Sequence, residues 1–334
     1  MDNKDWGEEI KGQNRSQTGQ QRNIKLPSSV RFDGDHNCVV ISMGPAGVSS
    51  NMQTDAAAFE AWSLALRVWC KVKQVRLKWE EPAIEGAGKQ RHYARFLYRA
   101  QRFFELFPDW FQLAGTTEKA QAMNGERLIL NVAGKPRTPG DSEKDGPNAH
   151  HPEALLEREL MNSVRFGEYF GFSNGKRDRQ FPVGLFRDKV ANANRIFTGG
   201  KSAIDLVGIR DETLAIFELK AERNVSAGIL SELIFYASVM RDAIPGPDGK
   251  SAFEFSVSKG NPGGVSAKDV QRCKGIEAVL LVEKLHPLLE SPQIMATLNA
   301  AARSNWNRSG KHVPVSFRGT KIQRTGSDFA FAEI

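Results

Sequence analysis

The chain has 334 residues, 40% of them hydrophobic and 25% charged, which is enough apolar material to bury a core without staples and enough length for two domains. Its formal net charge of +7 suits a polyanionic partner such as nucleic acid, or simply a well-solvated surface, since net charge bears on association and not on fold. The three cysteines, Cys38, Cys70 and Cys273, lie far apart with no CxxC, and no HExxH occurs, so neither a disulfide framework nor a zinc motif is signalled. The first twenty-five residues hold no apolar run and no stretch approaches the length of a membrane span, so the expectation is a cytoplasmic protein with reduced thiols and no membrane partner.

Residues 1–30 are polar and charged and are expected to form a disordered arm. Cys38 to Met43 is an apolar run with strand character. Two helices follow, one over about Thr54–Lys73 and one over about Gln90–Phe107, the second stopped by Pro108. Residues 31–135 are therefore expected to be mostly helical and to bind substrate or a partner. The second helix carries Arg91, Arg95, Arg99 and Arg102 along one face, spaced by four, four and three. That face is either a phosphate-tracking ridge or an ordinary solvated one, and charge runs on helices are more often the latter. Arg127 to Val132 reads as a strand, and 136–152 as a linker rich in Gly, Pro and charge.

From 153 to 334 the pattern becomes α/β. A helix over Glu153–Arg165 precedes strands at Gln180–Phe186, Ala203–Ile209 and Thr213–Leu219. An amphipathic helix over Ser226–Met240, a strand at Ala278–Val282, a helix over Ser291–Ser304 and late strands at Val313–Phe317 and Phe329–Ile334 complete a mixed sheet flanked by helices. Gly199-Gly200-Lys201-Ser202 imitates the end of a P-loop, but Arg195 stands where the first glycine is required and a strand follows in place of a helix. The glycines read as a turn, and Lys201 as a nucleic-acid contact.

Two apolar runs, Ile204–Ile209 and Thr213–Leu219, flank a short charged turn and predict an antiparallel hairpin. With Asp211-Glu212 as the loop, Asp205 lies opposite Glu218, with Cβ atoms about 4.5–5.5 Å apart. Period-two alternation puts Glu218 and Lys220 on one face. Two carboxylates this close repel each other, and a hard divalent cation resolves the conflict. Four acid-x-Lys triplets occur, at Asp2, Glu9, Glu218 and Asp248, but only Glu218-x-Lys220 closes an apolar strand with an acid one hairpin upstream.

This segment resembles the active-site core of the PD-(D/E)XK, or restriction-endonuclease-like, nuclease superfamily. The resemblance covers about residues 153–285 and implies an α-β-β-β-α-β core and Mg²⁺-dependent cleavage of nucleic acid, with Mn²⁺ as substitute. By position, Asp205 resembles the first metal-binding acid, Glu218 the second and Lys220 the lysine; the Leu219 carbonyl would complete the metal site. Ile204 stands where the family name has proline. A glutamate on the preceding helix is also implied, which Glu157 or Glu159 would supply, Glu157 sharing a face with Leu160 and Val164. The Gln-x-x-x-Tyr pattern of some members corresponds to Glu232 and Tyr236, with Glu in place of Gln, and Tyr236 would contact nucleic acid. DNA is implied before RNA, acted on by a homodimer or with a partner subunit in a defence, repair or mobile-element assembly. The rival expectation is a non-cleaving nucleic-acid-binding or scaffold protein on the same fold.

Overall fold

Polar and apolar residues alternate along Val30–Gly34 (β1), Cys38–Met43 (β2) and Gln74–Trp79 (β3), as they must in strands buried on one face only. With Phe111–Leu113 (β4) they form a sheet of order β1-β2-β3-β4, antiparallel at the first pair and parallel at the other two. Parallel neighbours need crossovers, and helices Phe59–Val68 (α3) and Ala87–Leu106 (α4) supply them. Phe59 packs its ring against Phe96, Phe103 and Phe111, at centroid distances of 5.6, 5.8 and 6.1 Å, over the buried row Val39, Ile41, Val75 and Leu77. A short helix, Pro45–Val48 (α2), follows β2, and helix Asn3–Thr18 (α1) adjoins β1.

The structure is a computed structural model that describes the chain apart from residues 2, 19–23, 25, 84–85, 115–125, 132–151, 173–175, 198–201, 222–225, 257–263 and 327. Two compact units emerge: Met1–Gly125 with Ser226–Phe235 and Leu285–Asn305, and Glu126–Val225 with Tyr236–Lys284 and Trp306–Ile334. Three expectations are corrected. The supposed disordered arm is largely α1, because Trp6, Ile10 and Asn14, each four apart, form one fully buried stripe. The supposed mostly helical region 31–135 is built on a four-stranded sheet. The division is not one linker, since 226–235 and 285–305 group with the N-terminal residues. The expected linker 136–152 lies outside the described residues except for Pro152.

The second unit holds a six-stranded mixed sheet of order β13-β12-β11-β9-β8-β6. Its strands are Lys176–Pro182 (β6), Ala203–Arg210 (β8), Thr213–Lys220 (β9), Gly275–Val282 (β11), Val315–Thr325 (β12) and Asp328–Glu333 (β13). β11 is parallel to β9 and β12, and the other pairs are antiparallel. Leu128–Leu130 (β5), Leu185–Arg187 (β7) and Glu254–Phe255 (β10) make a small second sheet. Helices Pro152–Asn162 (α5) and Val164–Tyr169 (α6) cover one face of the large sheet through Leu156, Leu160 and Phe166, which cluster with Leu206, Phe217 and Leu219. The alternate residues of β9, Glu218 and Lys220 among them, therefore point to the opposite face. Helix Gly228–Ala243 (α7) is buried on all sides rather than amphipathic. Among the described residues no helix is long and apolar enough to cross a membrane.

Candidate functional site

The β8–β9 hairpin closes through Asp211 and Glu212, both left-handed with φ of 44° and 59°. Positive φ at both central residues is the type I′ signature, whose twist matches that of the flanking strands. The ladder runs from Arg210↔Thr213 to Leu206↔Phe217, and its next step sets Asp205 opposite Glu218. At that step the Asp205 carboxylate accepts the Leu219 amide at 2.8 Å. Leu219 thus meets Asp205 through its N–H; the expected contribution was its carbonyl. Glu218 and Lys220 are 1% and 3% exposed, and the Lys220 ammonium donates to Glu218 Oε1 at 2.7 Å. Asp205, on the neighbouring strand, is half-buried.

Two further elements reach this hairpin end. On β6, Arg179 pairs with Leu206 and Phe181 with Ile204, so Gln180 falls opposite Asp205. Gln180 adopts φ of 54°, a left-handed backbone in mid-strand. Its side-chain amide donates to Glu157 Oε1 at 2.7 Å, while Arg179 Nη1 lies 3.7 Å from Glu157 Oε2. Glu157 is buried at 4% exposure. One helical turn earlier, Glu153 Oε1 lies 3.7 Å from the Lys220 ammonium. Glu159, the other helix candidate, instead pairs with Arg324 on the exposed side of α5.

The hairpin end thus joins Asp205 to the Leu219 amide and Glu218 and Glu153 to Lys220, while Glu157 on the same helix is held by Gln180 and Arg179. Among the described residues no three His, Cys, Asp or Glu side chains converge into a metal cage. Mg²⁺ commonly takes only one or two carboxylates with waters and substrate oxygens, so Asp205 and Glu218 are the pair here that could hold one. Sequence reasoning missed Glu153, whose signal was its i, i+4 spacing from Glu157. It also missed Gln180 and Arg179, which only the β6 register brings in.

The remaining sequence candidates lie elsewhere. The arginine ridge on α4 is corrected, since two of its members are consumed inside the first unit. Arg99 is 3% exposed and grips Glu60 and the Ala57 carbonyl, its Nε 2.8 Å from Glu60 Oε1. Arg95, also 3% exposed, hydrogen-bonds Asn51 and His92. Arg102 pairs with Glu105, and only Arg91 has no such role among the described residues. Glu232 accepts from Gln53 at 2.7 Å, and Tyr236 is 4% exposed, so its ring offers no stacking surface. Lys201 lies outside the described residues. Compared with protein-family models, curated proteins and solved structures, the chain matches none.

Proposed function

We propose that this chain is a Mg²⁺-dependent nuclease of the PD-(D/E)XK type that hydrolyses phosphodiester bonds in nucleic acid, DNA before RNA. The observation that carries the proposal is the hairpin register: it faces Asp205 toward Glu218 while burying Glu218 with Lys220 at the end of an apolar strand. A buried ion pair is on average no more stabilising than apolar side chains of the same volume, so stability alone does not account for this one. The element order supports the same reading. α5, β6, β8, β9, α7 and β11 follow one another in the chain, with smaller elements inserted between some of them, and β6-β8-β9-β11 are neighbours in that order, as in an α-β-β-β-α-β core.

Asp205 and Glu218 would hold the ion. When bound, Mg²⁺, or Mn²⁺ in its place, supplies Lewis-acid polarisation of the scissile phosphate and an acidified water. The Leu219 amide fixes the orientation of the Asp205 carboxylate. Lys220, held between Glu218 and Glu153, presents a positive charge for the negative charge that develops on the phosphate. Gln180 and Arg179 fix Glu157 as a flanking acid.

The test is Asp205→Asn, which keeps the side-chain volume. Mg²⁺-dependent cleavage of plasmid DNA disappears while the unfolding midpoint is held; cleavage at the wild-type rate refutes the assignment. Lys220→Ala also abolishes cleavage, but it strands Glu218 in the interior at about 3–5 kcal/mol, so it is the less clean variant.

One observation favours a second reading, a non-cleaving nucleic-acid-binding or scaffold protein: Lys220 and Glu218 already neutralise each other at 2.7 Å. Calorimetric titration with Mn²⁺ separates the two. Heat that depends on Asp205 supports the enzyme, and its absence supports the scaffold.

A further inference from the structure

In the first unit's sheet, Val30, Phe32, Val39, Ile41, Val75 and Leu77 fill one face, beneath α3 and α4. The opposite face is open. The register lays out three rows on it: Arg31, Ser42 and Lys78 across β1, β2 and β3, Asp33, Val40, Arg76 and Gln112 across all four strands, and Cys38 beside Gln74 on β2 and β3. Arg31, Arg76 and Lys78 are exposed, and Asp33 is the one carboxylate in these rows. Among the described residues none of the three cations forms an ion pair. Arg76 leans on the neutral Gln112 amide oxygen, at 3.1 Å from Nη2. This separates them from Arg99 and Arg102 of α4, whose charge is spent on Glu60 and Glu105.

We infer that this sheet face binds the sugar–phosphate backbone of duplex nucleic acid. Strand spacing sets Arg31 about 10 Å from Lys78, and strand rise sets Arg76 about 7 Å from Lys78. Those separations are about one Debye length or less at 0.1 M salt, so the three charges act together on a polyanion at and below that salt. The face carries no aromatic ring, and Val40 is the one aliphatic side chain in its rows, so it offers neither a base-stacking platform nor an apolar seat for a protein. Binding is therefore through phosphates and independent of sequence. The inference rests on the nucleic-acid part of the proposed function and not on cleavage.

The experiment measures binding of a fluorescein-labelled DNA duplex by anisotropy. It compares the full chain carrying Asp205→Asn with the same chain carrying in addition Arg31→Ala, Arg76→Ala and Lys78→Ala. The three exposed changes keep the unfolding midpoint. Affinity falls at least about tenfold at 0.1 M salt, and the slope of log K against log salt becomes shallower by about 2–3, roughly one for each phosphate that is no longer neutralised. Two duplexes of unrelated sequence respond alike. Unchanged affinity and slope overturn the inference, as does failure of the starting chain to bind duplex DNA. A change in oligomeric state by sedimentation, with DNA affinity unchanged, also overturns it and makes the face a self-interface. A chain that cuts DNA but binds it without these residues loses only this surface. A chain that binds through them and never cuts loses only the nuclease proposal.

Discussion

Gln180 is a non-glycine residue held at φ of 54° in the middle of β6, and its amide holds Glu157 at 2.7 Å. The left-handed backbone carries about 1–2 kcal/mol of strain that glycine would not feel. A hydrogen bond to a charged group contributes about 1.5–3 kcal/mol. Gln180→Ala keeps the strain and loses the bond, so it destabilises by about 2 kcal/mol. Gln180→Gly loses the same bond but relaxes the backbone, against about 0.5–1 kcal/mol of extra chain entropy. Glycine should therefore be more stable than alanine here by about 0.5–1 kcal/mol, the reverse of the usual order inside a strand. Urea unfolding of the two variants, with matched m-values, reads the difference directly. An alanine variant as stable as the glycine variant, or more so, would refute the reasoning. Under the proposed nuclease function both variants lose cleavage together while their stabilities diverge, so activity follows the anchoring of Glu157 and not the folding free energy.

Arg99→Ala leaves Glu60 charged and buried, and should cost about 3–5 kcal/mol by denaturant unfolding, whereas Arg91→Ala on the same helix stays within about 0.5 kcal/mol. Equal effects would mean that the α4 arginines are a solvated set after all. Ser163 caps α6 by accepting the Phe166 amide, and its hydroxyl, with the Phe329 amide, holds the Asp328 carboxyl below its usual range. A depressed acid adds stability that is present above its unfolded value, near 3.8, and is lost as pH falls through the folded value. The deficit of Ser163→Ala should therefore combine a pH-independent cap loss of about 1 kcal/mol with a part that is present at neutral pH and vanishes in acid. A deficit that stays constant from neutral pH to about pH 2 would contradict the Ser163–Asp328 link.

The hairpin was legible because its two apolar runs flank the charged Arg210-Asp211-Glu212, and taking Asp211-Glu212 as the loop gives the pairing that the ladder follows. That Glu157 is buried and Glu159 is not was legible from helical spacing, since Glu157 shares the face of the buried Leu160. β3 was harder to see. Gln-Val-Arg-Leu-Lys-Trp alternates cleanly, but its charged half masks a short strand lying between two long aromatic helices. α1 hid because two apolar side chains, Trp6 and Ile10, carry its burial. The α4 arginines showed their spacing but not their partner, because Glu60 is 39 residues away in the chain and helical periodicity carries no information about it. Gln180 left no trace, as glutamine has no preference for positive φ.

The cluster at the hairpin end is hard to explain as structure alone. A structural ion pair ends neutral, and Glu218 with Lys220 would suffice for that. Here α5 adds Glu153 and Glu157 from one helical face, β8 adds Asp205 from the neighbouring strand, and the added cation is Arg179. The result is a set of buried and half-buried charged groups beside a left-handed backbone at Gln180. Local violations of this kind collect at functional sites, where the surrounding fold holds them in place. Under the proposed function a divalent cation would sit between Asp205 and Glu218, and the strain at Gln180 would serve to fix Glu157 as the flanking carboxylate.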